Sequence, residues 1–268
     1  EWNGRRWNKT ADSLPQKAHG IRYGAGVLRE INVGGHHFVY GSLNGDGVHY
    51  WDNQDFNEQS LHLAAGYKNR SAVQSFGVVP FVEQNWLGDK RYNRETGINT
   101  DFSRRLNEKW RLSFNAGYIK KYYQNSNTAA RYNSHMPLVG ATLAYSAPKN
   151  WLLYGSADWS HDMTKEAEQA SVRKGMRFGA VKAFENGFGI RTNLRYARRT
   201  FDAPGSLVYR LTRKDHEYQA NASIWHNKIA WKGLVPHLNF RYLKIDSNMS
   251  GFYSRKNMQT FISVEKQF

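Results

Sequence analysis

Along most of this chain apolar residues return at every second position. Ile21, Tyr23, Ala25 and Val27 alternate with Arg22, Gly24 and Gly26, and Leu61, Leu63, Ala65 and Tyr67 alternate with His62, Ala64, Gly66 and Lys68. The cleanest run sets Trp110, Leu112, Phe114, Ala116 and Tyr118 against Arg111, Ser113, Asn115 and Gly117. Further runs follow at Ile98–Phe102, Val139–Tyr145, Trp151–Trp159, Met176–Ala180, Phe188–Tyr196, Tyr218–Ile224 and Leu238–Tyr242. The last stretch, Asn257–Phe268, shows the same pattern and stops on an aromatic. A period of two over such runs predicts β-strands whose two faces meet unlike surroundings. Helical periodicity is scarce. The segment 161–170 is polar all round and is read as loop.

The connections alternate between short and long. Gly34-Gly35, Asn69-Arg70, Asn107-Glu108, Ala147–Asn150, Glu185–Gly187 and 227–233 read as tight turns. Segments 51–57, 85–94, 125–131, 161–170, 201–213 and 247–256 read as longer loops. Outer-membrane β-barrels separate periplasmic turns from surface loops in this way, and a terminal aromatic suits their last strand. With Phe268 on the periplasmic side, counting back gives thirteen strands from Ile21 onward. An even number requires one more, assigned to Trp2–Thr10 with 11–19 as the first surface loop. The expected fold is therefore all-β, one fourteen-stranded transmembrane antiparallel barrel over residues 1–268 with seven surface loops, in the bacterial outer membrane with both termini periplasmic. The WNGRRWNKT segment is poor in β-branched residues. Pro80 lacks a ladder donor and predicts an irregularity; the outward face of 71–84 is left unassigned by alternation.

A soluble β-sandwich shares the alternation, but long strands match a tilted crossing of an apolar band about 25 Å tall. Aromatics also gather near strand ends, with Tyr50, Trp51, Trp86, Tyr122, Tyr123, Phe252 and Tyr253 on one side and Trp110, Trp151, Phe188, Trp231 and Phe268 on the other. That distribution fits interfacial girdles.

Composition narrows the chemistry. There is no cysteine, which excludes disulfides and thiolate metal or redox sites. No apolar run reaches the ~18 residues of a transmembrane helix, and a polar average is no argument against a barrel. The formal charge of +16 points to anionic partners. Nucleic acid explains that charge but not the alternating connections, so it is not expected as a partner. The ten histidines are scattered without carboxylate spacing for a metal site, and no acid/base set gathers at one rim. An enzyme is not expected, nor a cofactor.

On the polar faces stand Arg22, Arg111, Arg177, Arg191, Arg195 and Arg241, with Asp101, Asp158 and Glu265 as fewer counterweights. Two roles are open: a cationic conduit that attracts acidic segments or anions, or arginines that brace the wall on carboxylates and carbonyls. Closure joins the first strand to the last, and a lateral gate near Arg5 and Glu265 is the expectation drawn from that poorly specified seam.

Four strings then read together: HYWDNQDFNE, VPFVEQNWLGDKRYNRETG, DHEYQANASIWHNKIAWKGLVPHL and IDSNMSGFYSRKNMQTFISVEKQF. They resemble the C-terminal barrel of the surface lipoprotein assembly modulator (Slam) family, the outer-membrane component of the type XI secretion system. The resemblance covers essentially the whole chain, and the SN…FYSRKN…F ending is its most specific part. It implies export of lipoproteins, or of soluble haem- or metal-carrier proteins, from periplasm to cell surface. A passive porin-like channel for anionic solutes is the alternative. Implied partners are the cargo, outer-membrane lipid and lipopolysaccharide, and periplasmic chaperones with the barrel assembly machinery. Many members carry a tetratricopeptide-repeat domain ahead of the barrel; either it precedes Glu1 or this is a short member. Lys266 replaces the apolar residue expected near the terminal aromatic, at a cost of about 0–1 kcal/mol close to the interface. By resemblance, Asp246, Ser247, Asn248, Phe252, Tyr253, Arg255 and Lys256 in the last loop are candidate cargo contacts. Tyr50, Trp51, Asp52 and Asn53 form a second set, and Tyr92 and Arg94 belong to a third. Their plainer role is loop architecture, Asn248 and Asp52 being good turn formers.

Overall fold

The computed structural model describes residues 20–52, 54–205, 210–230 and 233–266. They form β1 (Gly20–Gly34), β2 (His37–Tyr50), β3 (Glu58–Arg70), β4 (Gln74–Leu87), β5 (Lys90–Arg105), β6 (Trp110–Tyr123) and β7 (Ser134–Ala147). The chain continues through β8 (Trp151–Thr164), β9 (Ser171–Ala183), β10 (Phe188–Pro204), β11 (Thr212–His226), β12 (Leu234–Ser247) and β13 (Arg255–Lys266). Two short helices lie in connections, α1 (Ser126–Tyr132) and α2 (Ser250–Tyr253). All thirteen strands belong to one sheet, each antiparallel to the next in chain order. The fourteenth strand expected at Trp2–Thr10, and the loop after it, lie outside the described residues, as do Trp231 and Phe268.

Strands of 12 to 17 residues, longer than the usual strand of about 5–6, suit a tilted crossing of a membrane. Register fixes what each face meets. Val27 pairs with Leu43, Leu43 with Leu63 and Leu63 with Val82, an apolar row around the outside. Val27, Phe178, Leu194 and Ile262 are each 63–69% exposed. On a water-soluble protein such a surface is a liability; against lipid tails it is what a barrel exterior requires. The inner face is polar. Lys121, Arg195, Asp215 and Glu217 are buried there, and Arg22 of β1 and Arg241 of β12 line one cavity with residues of β2–β7. The sheet is curled into a transmembrane β-barrel, and no helix among the described residues is long and apolar enough to cross a membrane.

Turn chemistry explains most hairpins. Gly34 and Gly35 sit at φ +132 and +54, backbone that a side chain resists. Pro80 disturbs its ladder as expected: the β3–β4 pairing is interrupted between Ala64–Phe81 and Tyr67–Val78, with the register unchanged on either side. The outward face of that strand is Phe76, Val78 and Val82, all hydrophobic. Alternation could not reveal this because Val79 and Phe81 on the inner face are apolar too. They pack with Ala64, Tyr40 and Ile119 into a small apolar patch inside the barrel.

Several loop boundaries need correction. Residues 85–94 are nearly all strand: Gly88 and Asp89, both at positive φ, close a two-residue turn, the mirror-image geometry that matches strand twist. Long and short connections therefore do not alternate without exception. The segment 125–131 holds α1, whose N-terminus is capped by Asn125 Oδ1 accepting from Asn127 and Thr128. β8 runs to Thr164, so loop begins four residues later than expected, and β10 runs to Pro204. Polar residues at these strand ends hid the continuation, since above the lipid band both faces meet water or other loops.

Candidate functional site: the long-loop mouth of the barrel

Arginines dominate the inner wall of β9–β12 at the end carrying the longer loops. In register, Arg195 stands opposite Arg177 and Arg199 opposite Arg173, arrangements that repel unless a carboxylate intervenes. Carboxylates do intervene, for Arg195 and Arg173 from two strands away and for Arg199 from the next strand. Arg195 Nη2 donates to Asp158 Oδ2 at 2.7 Å, reaching across β9. Gly175 makes that crossing possible, because a Cβ there would lie 2.8 Å from Arg195 and 2.9 Å from Asp158. Glu217, 5% exposed, takes Arg173 at 2.8 Å and Arg199 at 3.0 Å. Asp215, 1% exposed, takes Arg213 at 2.5 Å. Charge-assisted bonds of this kind are what make buried arginine tolerable.

The last loop folds onto this cluster. The Arg213 guanidinium lies 4.5 Å from the Phe201 ring and 3.7 Å from the Tyr253 ring, a cation held between two aromatic faces. Asn248 bolts the loop to β11: its Oδ1 accepts from the Lys214 N–H at 2.8 Å and its Nδ2 donates to the Thr212 carbonyl at 2.9 Å. Ser247 is buried and its N–H donates to Ser254 Oγ at 3.0 Å. Arg255 begins β13 on the same inner face. Asp246 and Lys256, in contrast, lie in strands and face outward, Asp246 paired with Lys244 at 2.8 Å and Lys256 over Tyr242 at 5.6 Å. Phe252 is half exposed at the tip.

The other candidates separate. Tyr50 ends β2 and its N–H donates to Asn57 Oδ1 at 2.7 Å; Trp51 and Asp52 project at the rim, and Asn53 lies outside the described residues. Tyr92 and Arg94 are in β5, not a loop. The register slips between Asn85 and Trp86 and leaves Tyr92 as the extra residue of a bulge. It turns onto Tyr123 with ring centroids 5.0 Å apart. Arg94 faces outward and donates to Gln84 at 3.3 Å. Tyr123 and Tyr253 therefore serve the interior, where girdle positions were expected.

The six arginines expected on the polar faces all occupy the inner face by register. Arg22 and Arg241 both approach the Phe261 ring, each 5.8 Å from its centroid. Arg191 packs on Trp225 at 5.7 Å and Arg111 donates to Ser103 at 3.3 Å. Arg177 is exposed to the lumen. Asp215, Glu217, Arg173, Arg199 and Arg213 escaped the reading of single strands. Their signal was the alternation of Asp215 and Glu217 in β11, two acids on one inner face. Above the mouth, Arg131 of α1 ties neighbouring loops together through Glu166 at 2.7 Å and Glu168 at 3.1 Å; the Glu166 hydrogen bond raises its pKa above the ordinary arginine value. Among the described residues no three acidic or histidine side chains converge to hold a metal ion.

A family model described as surface lipoprotein assembly modifier matches residues 3–268. The chain belongs to that family. Surface lipoprotein assembly modifier 1 of Haemophilus influenzae is 29% identical over 261 residues, covering 94% of this chain and 53% of that protein. The surface lipoprotein assembly modifier of Pasteurella multocida is also 29% identical, over 97% of this chain and 54% of its own length. A hemophilin secretion modulator of Acinetobacter baumannii is 24% identical over 94% of this chain. The chain thus spans about half the length of the curated relatives it matches. Among solved structures, Pseudomonas aeruginosa OprD aligns over 91% of this chain and 89% of its own at 11% identity, with a TM-score of 0.46. The barrel assignment rests on the strand order and the exposed apolar exterior, not on that alignment.

Proposed function

We propose that this barrel is the outer-membrane part of a system that brings a lipoprotein, or a soluble carrier protein, to the bacterial cell surface, with its long-loop end outside. The observation that carries the proposal is the family match across the whole chain, shared with relatives named for surface lipoprotein assembly and for hemophilin secretion. The mouth is consistent with handling polypeptide. Its inner wall offers arginine, aromatic and carboxylate groups on one surface, chemistry suited to side chains in transit more than to one small solute. No catalytic step is assigned to it.

A gene deletion and complementation series tests the reading. In the deletion strain one surface protein should be shielded from protease added to intact cells, and restoring the parent gene should return its accessibility. An unchanged surface proteome would refute the export role. A passive anion channel predicts instead steady conductance in planar bilayers without any partner.

A further inference from the structure

We propose that the inner wall of β2–β5 is a binding site for cationic side chains, the ammonium or guanidinium groups of a basic polypeptide segment. It faces the arginine wall from about half a circuit away in strand order. This goes beyond the export reading and stands without it.

Four carboxylates, Asp46, Glu58, Glu83 and Glu95, line a cavity of about 540 Å³ at the long-loop end, within the usual range for ligand sites. Glu83 stands directly opposite Glu95 in register, where cross-strand Cβ atoms come within about 4.5–5.5 Å and like charges repel. The arginine wall contains the same kind of conflict and resolves it internally with Asp158 and Glu217. On the acidic wall Glu95 has Lys121 directly opposite it in β6, but Asp46, Glu58 and Glu83 have no such counter-charge among the described residues. The bonds that Asp46 and Glu83 accept come from neutral donors, Ser60 Oγ at 2.6 Å and Asn85 Nδ2 at 3.1 Å. No cation among the described residues pairs with Asp46, Glu58 or Glu83; Lys121, opposite Glu95, also reaches Asp162 at 3.7 Å.

A second observation points to the same ligand. Asn93, 4% exposed, lines this cavity, and its Oδ1 is buried without a hydrogen-bond partner. Its Nδ2 is turned toward Glu95 at 3.4 Å, which leaves the carbonyl oxygen for an incoming donor. A buried acceptor in that state is unfavourable until a donor arrives. The acceptors are spread along a wall and not focused on one point, which fits the several N–H donors of basic side chains better than a bare metal ion. Arg22 and Arg241 also border the cavity, each with its guanidinium 5.8 Å from the Phe261 ring centroid.

The test uses the whole chain, refolded in detergent, with dye-labelled octalysine and octaglutamate as probes read by fluorescence anisotropy. Octalysine should bind despite the net positive charge of the protein, and more weakly as salt rises. The double variant Glu58→Gln/Glu83→Gln should weaken octalysine binding at least tenfold, while Arg177→Gln leaves it unchanged or tighter. Heat-modifiable electrophoretic mobility checks folding; should the double variant fail to fold, Asp46→Asn supplies the same comparison. Absence of octalysine binding to the parent, equal binding by the acidic-wall variants, or loss of octaglutamate binding in their place would each overturn the proposal.

Discussion

At the scale of single residues, part of the interior is organised by pairs between strands that are not neighbours. Arg195 finds Asp158 only by crossing β9, and it can cross only because residue 175 has no side chain. Asp158→Asn should therefore destabilise the barrel by about 2 kcal/mol, the scale of a hydrogen bond to a charged group, leaving Arg195 beside Arg177 without its counter-charge. Urea unfolding in detergent measures this. Gly175→Leu should do the same from the other direction by driving its side chain between the two partners, and a double variant Asp158→Asn/Gly175→Leu should fall well short of the sum of the two effects. Alternation assigned all six arginines to the inner face correctly, because side-chain direction has a strict period of two. It carried no information on which carboxylate each one meets.

At the scale of elements, the last loop behaves as a strap across the arginine wall. Asn248 fixes its start to β11, and Tyr253 lays its ring on Arg213. Asn248→Ala removes both side-chain bonds to β11 and leaves only the backbone N–H donation to the Lys214 carbonyl, so limited proteolysis should cut within 248–254 several-fold faster while the barrel itself resists, since the strands on both sides stay fully laddered. Turn chemistry was legible where glycine stood beside a clear reversal, as at Gly34-Gly35. It was misread at Gly88-Asp89, where charged and aromatic flanks looked like loop yet lay in strands that rise above the lipid band. Helices α1 and α2 were missed because each is too short to show a period.

For the whole molecule, one orientation follows from the proposed function. The chain has no cysteine, so single cysteines report position without background. Trp51→Cys, at the long-loop rim, should be labelled on intact cells by a membrane-impermeant maleimide. Lys149→Cys, in a short turn at the other end, should be labelled only after the outer membrane is permeabilised. The reverse pattern would invert the barrel and with it the assignment of mouth and exit.

Fold class, the middles of the thirteen strands from Ile21 onward and the inward direction of six arginines were determined by the sequence alone, because lipid on one side and water on the other impose a two-residue rhythm that survives any detail of packing. Which charges neutralise one another, and that Asp46, Glu58 and Glu83 meet no cation among the described residues while Arg173, Arg195 and Arg199 each meet a carboxylate, was decided by the tertiary structure. The reason is geometric. Register and curvature bring together groups on strands two apart, here Asp158 with Arg195 and Arg173 with Glu217, and no local pattern along a single strand encodes that offset.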